Sequence, residues 1–305
     1  MSSAPLSLAV DFIKTHQNPD GGWGYGAGRA GLVEPTGLCA MALHARGDVL
    51  ASGRSLAFLK SCQKESGAVG IGPRDNEGGW MAYAALLAFH VLGAETEKRR
   101  LLDWILGFED ASGRFTQADI EAVARVYRYD ASIPGWSWTP RMTAWVEPTA
   151  LFIIALRQAG VPASERRIKS GVDLILDRRI PSGGWNFGNP YSKFFELEAS
   201  AMSTALALAA LGAAGVPENR PAVGAGIRFL ARALGGDVST ASLAWILLAL
   251  KSFPSGASLL AGVKVRLGQL QMSDGSFRGN LFETALAYLV LSDAPVLSPI
   301  RRGDQ

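Results

Sequence analysis

The sequence predicts an all-α chain built as an (α/α)6 toroid, with six outer helices alternating with six inner ones. Three observations carry that prediction. A short pattern returns six times within the 305 residues, an alanine- and leucine-rich segment follows each copy, and most connections are short. Repetition of this length marks a modular architecture.

The pattern is an aromatic–aliphatic pair, three residues, glutamine, three residues, glycine, one residue and an aromatic. The stretch "FIKTHQNPDGGWG" matches it in full, with Phe12-Ile13, Gln17, Gly21 and Trp23. The second copy is Phe58-Leu59, Gln63, Gly67, with Val69 in the aromatic place. A third reads Trp104-Ile105, Glu109, Gly113, Phe115, and a fourth Leu174-Ile175, Arg179, Gly183, Trp185. The fifth, from Phe229-Leu230, is weak; the sixth runs Arg266-Leu267, Gln271, Gly275, Phe277. These amphipathic segments read as helices with one wet face.

The segments between them are apolar nearly all round and read as helices buried on every side. They are expected near 35–46, 79–92, 147–159, 198–211, 238–251 and 282–291. Glu34-Pro35 and Glu147-Pro148 suit helix starts, because proline fits the first turn and a carboxylate favours the positive end of the dipole. Short connections make each inner helix antiparallel to its outer partner, so the inner helices share a direction. The chain is expected to be a single toroid domain over 1–305. An insertion near 116–146 would carry a short helix at 119–127 and place Trp136 and Trp138 over one mouth.

Composition excludes several classes. Apolar residues make up 48% and charged residues 19%, which fits a globular chain. The net charge of +3 is spread along the sequence with no basic run, so no nucleic-acid partner is expected. Two cysteines, Cys39 and Cys62, are too few for a disulfide framework and fit a reducing compartment. The opening residues do not read as a signal peptide, and the charge-free stretch 199–217 reads as a buried helix, so a cytoplasmic location without a membrane span is expected. "GYGAGRAG" follows a turn tryptophan rather than a strand, and its glycines read as loop.

The Gln-x3-Gly-x-Trp copies resemble the QW repeats of terpenoid cyclases and of protein prenyltransferase β-subunits. The resemblance covers essentially the whole chain and implies a toroid with an apolar cavity for an isoprenoid or other hydrophobic small molecule. It also implies that Gln17, Gln63 and Gln271, with Trp23, Trp185 and Phe277, tie neighbouring units together and are structural. Two departures matter. Cyclases of the protonating class carry a DxDD-type acid motif, whereas Asp237 in "GGDVSTASLA" stands beside valine, serine and threonine. The prenyltransferases need an Asp-x-Cys pair and a histidine for zinc. Neither cysteine here has that aspartate, and His16, His44 and His90 lack ligand spacing. No metal and no cofactor are therefore expected, and squalene should not be cyclised.

The candidate chemistry sits at the inner-helix starts. Glu34, Glu77, Glu147, Glu198, Asp237 and Glu283 would gather at one mouth, with Glu147 and Glu198 nearest the insertion. Crowded carboxylates beside apolar walls raise a pKa and make a general acid. The alternative is that each merely favours its own helix end. Trp80, Tyr83, Trp145, Phe152, Trp245, Phe282 and Tyr288 are the candidate ligand-binding aromatics, suited to cations through their ring faces. Plain core packing is the alternative. Phe194 and Phe195 read as a lid. Three functions stay open: a terpenoid cyclase-like lyase or isomerase, a non-catalytic toroid holding a lipid or a partner protein, and a carbohydrate-active enzyme.

Overall fold

The computed structural model describes residues 3–292 together with Ala294 and Leu297. In chain order the helices are α1 (Ser3–Thr15), α2 (Val33–Ala45), α3 (Val49–Cys62), α4 (Ala82–Val91), α5 (Glu95–Leu106), α6 (Gln117–Tyr127), α7 (Val146–Gln158) and α8 (Arg166–Asp177). The hairpin β1 (Tyr191–Ser192) and β2 (Phe195–Glu196) follows, then α9 (Ala201–Ala213), α10 (Pro221–Ala233), α11 (Thr240–Lys251), α12 (Ala257–Gln269) and α13 (Leu281–Leu291). The described residues form two compact units, one from residues up to 107 with those from 264 on, the other from 108 to 263.

In the first unit α2 packs against both α4 and α13, and all three are buried over most of their length. Helices α1, α3 and α5 flank them with one apolar face each. The second unit repeats the plan: α7, α9 and α11 pack in sequence, with α8 and α10 outside. The six buried helices fall within four residues of the expected starts. Their caps follow from the local sequence. Ser200, Ser239 and Asn280 each accept a backbone N–H from the third helical residue, satisfying a donor that the helix leaves open. Glu198 and Asp237 therefore do not open helices as expected; each lies two residues before its capping serine, exposed to solvent.

The repeated pattern has a physical basis. Gln17 Nε2 donates to the carbonyls of Gly21 at 3.0 Å and of Ala51, in α3, at 3.0 Å. Gln63 Nε2 does the same with Gly67 at 3.1 Å and with Glu97, in α5, at 3.0 Å. Trp23 Nε1 donates back to Ile13 of its own helix at 2.8 Å, and Trp185 Nε1 to Ile175 at 2.6 Å. Each of these glutamines thus reaches forward to the next flanking helix, and each of these indoles reaches back. Gly21 and Gly67, at φ 85° and 88°, lie against that next helix: a Cβ would collide with the carbonyl oxygen of Arg54 or Arg100. Only glycine combines that left-handed φ with so close a backbone approach.

The third copy is corrected. Phe115 does not fill the aromatic place; it sits half-buried after the turn Ser112–Arg114. Trp136 fills it, fully buried, with its N–H donated to Thr149 Oγ1 at 3.0 Å. The extra residues therefore end before Trp136, and that indole belongs to the core rather than to a mouth. Arg167, itself buried, lies over the Trp136 ring at 4.4 Å and donates to the carbonyls of Phe108 and Gly135. It pins together the two ends of the excursion. The expected short helix forms as α6, opened by a reciprocal cap between Thr116 and Asp119.

Candidate functional site

The first unit carries the most unusual carboxyl group. Glu34 is the second residue of α2, and two backbone contacts and one to a side-chain hydroxyl fix that helix start. Leu32 N donates to Trp23 O at 2.9 Å, Val33 N to Ile71 O at 3.0 Å, and Trp23 N to Thr36 Oγ1 at 2.9 Å. The side chain is 4% exposed. Its two oxygens accept from two phenols: Tyr83 Oη donates to Oε1 at 2.7 Å, and Tyr25 Oη donates to Oε2. Tyr83 comes from α4 and lies parallel to Trp80, ring centres 6.3 Å apart. Tyr25 comes from the loop before α2. Its carbonyl accepts from Leu281 N at 2.8 Å, and its ring meets Phe282 edge-on at 5.9 Å. Glu283 stands next on α13, half-buried, its N–H taken by the Asn280 cap.

Burial pushes Glu34 up to about 7, against the opposing pull of the two tyrosine hydroxyls. Both phenols are pushed above their ordinary value, first by burial and then by the Glu34 charge. They therefore stay protonated and act as donors. The arrangement holds a carboxyl that exists in both protonation states near neutral pH, which is the condition for giving and taking protons there. Half-buried Tyr25 links it to the neighbouring aromatic wall.

The second unit places Glu147 in the same helical position of α7, but half-buried, with Ser203 Oγ donating to Oε1 at 2.7 Å. Ser200 Oγ backs Ser203 at 2.8 Å. Trp145 packs on Phe187 at 5.6 Å. Phe152 is fully buried between Trp136 and Phe108, and Trp245 is buried in α11. Glu198 edges an open depression with Phe229 and Arg232. Tyr288 lies two turns along α13 from Leu281, buried.

Of the expected residues, the structure thus joins Glu34 directly to Tyr83, and through the tyrosines to Trp80 and Phe282. Sequence reasoning missed Tyr25 and Ser203. Tyr25 lies inside "GYGAGRAG", a stretch whose glycines read as loop, and its spacing of nine residues before Glu34 matches no helical or strand period. Among the described residues no three of His, Cys, Asp and Glu gather as metal ligands, and no helix is long and apolar enough to cross a membrane.

No family model matches the chain, and no curated protein matches it. Solved structures do. The ligand-free type II terpene cyclase MstE from Scytonema is similar at 16% identity and a TM-score of 0.65, over 97% of this chain and 99% of that one. A variant of that cyclase holding its substrate, geranylgeranyl dihydroxybenzoate, is similar at 16% identity and a TM-score of 0.62, over 96% and 97%. An α-amylase from Clostridium perfringens is as similar in shape, at 11% identity and a TM-score of 0.66, over 95% and 98%. The fold is an (α/α)6 toroid. Toroids of this kind support both cyclisation and glycoside cleavage, so the fold leaves the chemistry to the site.

Proposed function

We propose that the chain binds an isoprenoid or related hydrophobic molecule and that Glu34 moves a proton at it through Tyr25. One observation carries the reading: a buried carboxyl poised near neutral pH, held by two phenols and walled by Trp80, Tyr83 and Phe282. The repeats that resemble those of terpenoid cyclases, and the likeness to a cyclase with an isoprenoid substrate bound, support the substrate class. Aromatic faces in that wall would stabilise a developing cation.

The proton chemistry narrows the substrate further. A carboxyl near 7 is too weak to protonate an unactivated alkene, which the absence of a DxDD-type motif also indicates. It is well matched to an oxygen function, such as an epoxide or an allylic alcohol, or to taking a proton from a cation. With Glu34 protonated, its O–H donates to Tyr25 Oη and the phenol's own hydrogen turns to the ligand oxygen. As the acid gives its proton to Tyr25, the phenol gives its own to the ligand. Tyr25 thus stays neutral and the negative charge is left on the Glu34 carboxylate, where the Tyr83 hydroxyl still donates to it. Return of a proton from the product, again through Tyr25, restores the Glu34 carboxyl. The reading is thus a cyclase-like lyase or isomerase without metal.

Native mass spectrometry of the purified protein tests the substrate class. A bound isoprenoid released on denaturation is expected, and added geranylgeraniol should bind wild type and Glu34→Gln equally. Conversion of an epoxidised isoprenoid should be lost in Glu34→Gln. No adduct and no geranylgeraniol binding would sink the reading. Binding without any conversion would make the chain a carrier, and hopene from squalene would show a stronger acid than Glu34.

A further inference from the structure

Three of the repeat turns share a tetrad that begins at the repeat aromatic. Trp23-Gly24-Tyr25-Gly26 in the first copy becomes Val69-Gly70-Ile71-Gly72 in the second and Trp185-Asn186-Phe187-Gly188 in the fourth. The third residue of each makes the same backbone contact. Its carbonyl accepts the first N–H of the preceding buried helix: Tyr25 from Leu281 of α13 at 2.8 Å, Ile71 from Val33 of α2 at 3.0 Å, Phe187 from Val146 of α7 at 3.0 Å. The fourth residue follows suit in the first unit. Gly26 bridges Asn280, the cap of α13, and Gly72 lies against the carbonyl of Gly31, just before the cap of α2. Two of the three side chains show where this position points. Tyr25 meets Phe282 at the start of α13 and bonds Glu34 at the start of α2, and Phe187 meets Trp145, the residue before α7.

We infer that Ile71 lines the ligand site of the first unit and contacts hydrocarbon beside the reacting oxygen; this rests on Glu34 acting at an isoprenoid. The frame that holds Tyr25 between the starts of α13 and α2 is repeated one step on. It sets Ile71 between the start of α2, which carries Glu34, and Trp80 and Tyr83, around the start of α4. Ile71 is 45% exposed although both of its backbone polar groups are engaged. Its N–H donates to Asp75 Oδ2 at 2.8 Å, and its carbonyl holds Val33. The loop is thus tied down while an aliphatic side chain stays open. Among the described residues, the other large apolar side chains exposed in this unit lie on or just after the flanking helices α1, α3 and α12. A ligand oxygen at Tyr25 and hydrocarbon along Ile71 fit one molecule, which gains by covering the isoleucine. A sugar in the same place would turn hydroxyls toward Ile71 and leave them without partners.

Titration with geranylgeraniol tests the assignment. Ile71→Ser should weaken binding about tenfold, the effect of about two buried methylene groups. Leu50, 85% exposed on α3, is the control, and Leu50→Ser should bind as wild type does. Cysteine protection decides the matter even where the serine variant folds poorly. Both native cysteines are buried, so Ile71→Cys can be labelled with a maleimide. Geranylgeraniol at about ten times its Kd should slow that labelling about tenfold and leave Leu50→Cys unaffected. Equal binding by Ile71→Ser and wild type, or labelling of Ile71→Cys at one rate with and without the alcohol, overturns the inference while the reading of Glu34 stands. Wild type that binds no geranylgeraniol, or an Ile71→Cys protected by maltotriose instead, overturns both.

Discussion

Residues 33–36 and 146–149 are the same tetrapeptide, Val-Glu-Pro-Thr, and their backbones are nearly superimposable in kind. Each follows an extended residue, Leu32 or Trp145, whose N–H donates to a tryptophan carbonyl thirteen residues before the threonine. Each threonine hydroxyl then receives that tryptophan's N–H, from Trp23 at 2.9 Å and Trp136 at 3.0 Å, and donates to its carbonyl. Yet the glutamates differ. Glu34 is buried under two phenols, whereas Glu147 is half-buried and takes a serine hydroxyl. The scaffold is local and repeats; the chemistry comes from side chains that other segments deliver.

The shared part should fail equally in both places. Trp23→Ala and Trp136→Ala should each cost about 3–5 kcal/mol, as truncation of a buried indole does. Denaturant midpoints that fall for one and not the other would break the equivalence of the two scaffolds.

The different part should appear in pH dependence. Glu34 titrates near 7 in the folded protein and near its ordinary 4.5 when unfolded, so the folded state binds the proton more tightly. Its contribution to stability is fully present below about 4.5 and is lost as pH rises through about 7, a span worth about 3 kcal/mol. Glu34→Gln should flatten that fall in chemical denaturation between pH 5 and pH 8. An unchanged slope would mean that Glu34 does not titrate there. Tyr83→Phe sharpens the point: losing one donor to the carboxylate should move the midpoint of the fall upward.

The smallest effect belongs to the second glutamate. Ser203→Ala removes the hydroxyl that holds Glu147 and should cost about 1 kcal/mol, the typical worth of one such hydrogen bond. A loss as large as that of the tryptophan variants would place Glu147 in a tighter network than its exposure suggests.

Much of the architecture was legible because its rules are periodic and short in range. The buried helices, the glutamine ties of Gln17 and Gln63, and the helix α6 all follow from spacings within one or two turns. The register of Trp136 was missed because the excursion after Gly113 hides it. The interval of thirteen residues from Trp23 to Thr36, repeated from Trp136 to Thr149, is the signal that finds it. The site was half legible. Glu34 stood out at a helix start, but six carboxylates shared that description, and what singles it out is Tyr83, forty-nine residues away, meeting Tyr25 at one carboxyl. No period encodes such a meeting.

Gly275 has one more implication. At φ 87° it presses against the carbonyl of Leu8 in α1 as Gly21 presses on α3, and α13 packs against both α1 and α2. Synthesis runs from the amino end, so α1 and α2 leave the ribosome long before the residues that cover them. Until α13 emerges, the apolar flank of α2 that it will occupy has no neighbour. A chain stopped near residue 110 would carry that flank permanently bare, sticky to other nascent chains and attractive to chaperones. The first helices made are among the last to be sealed.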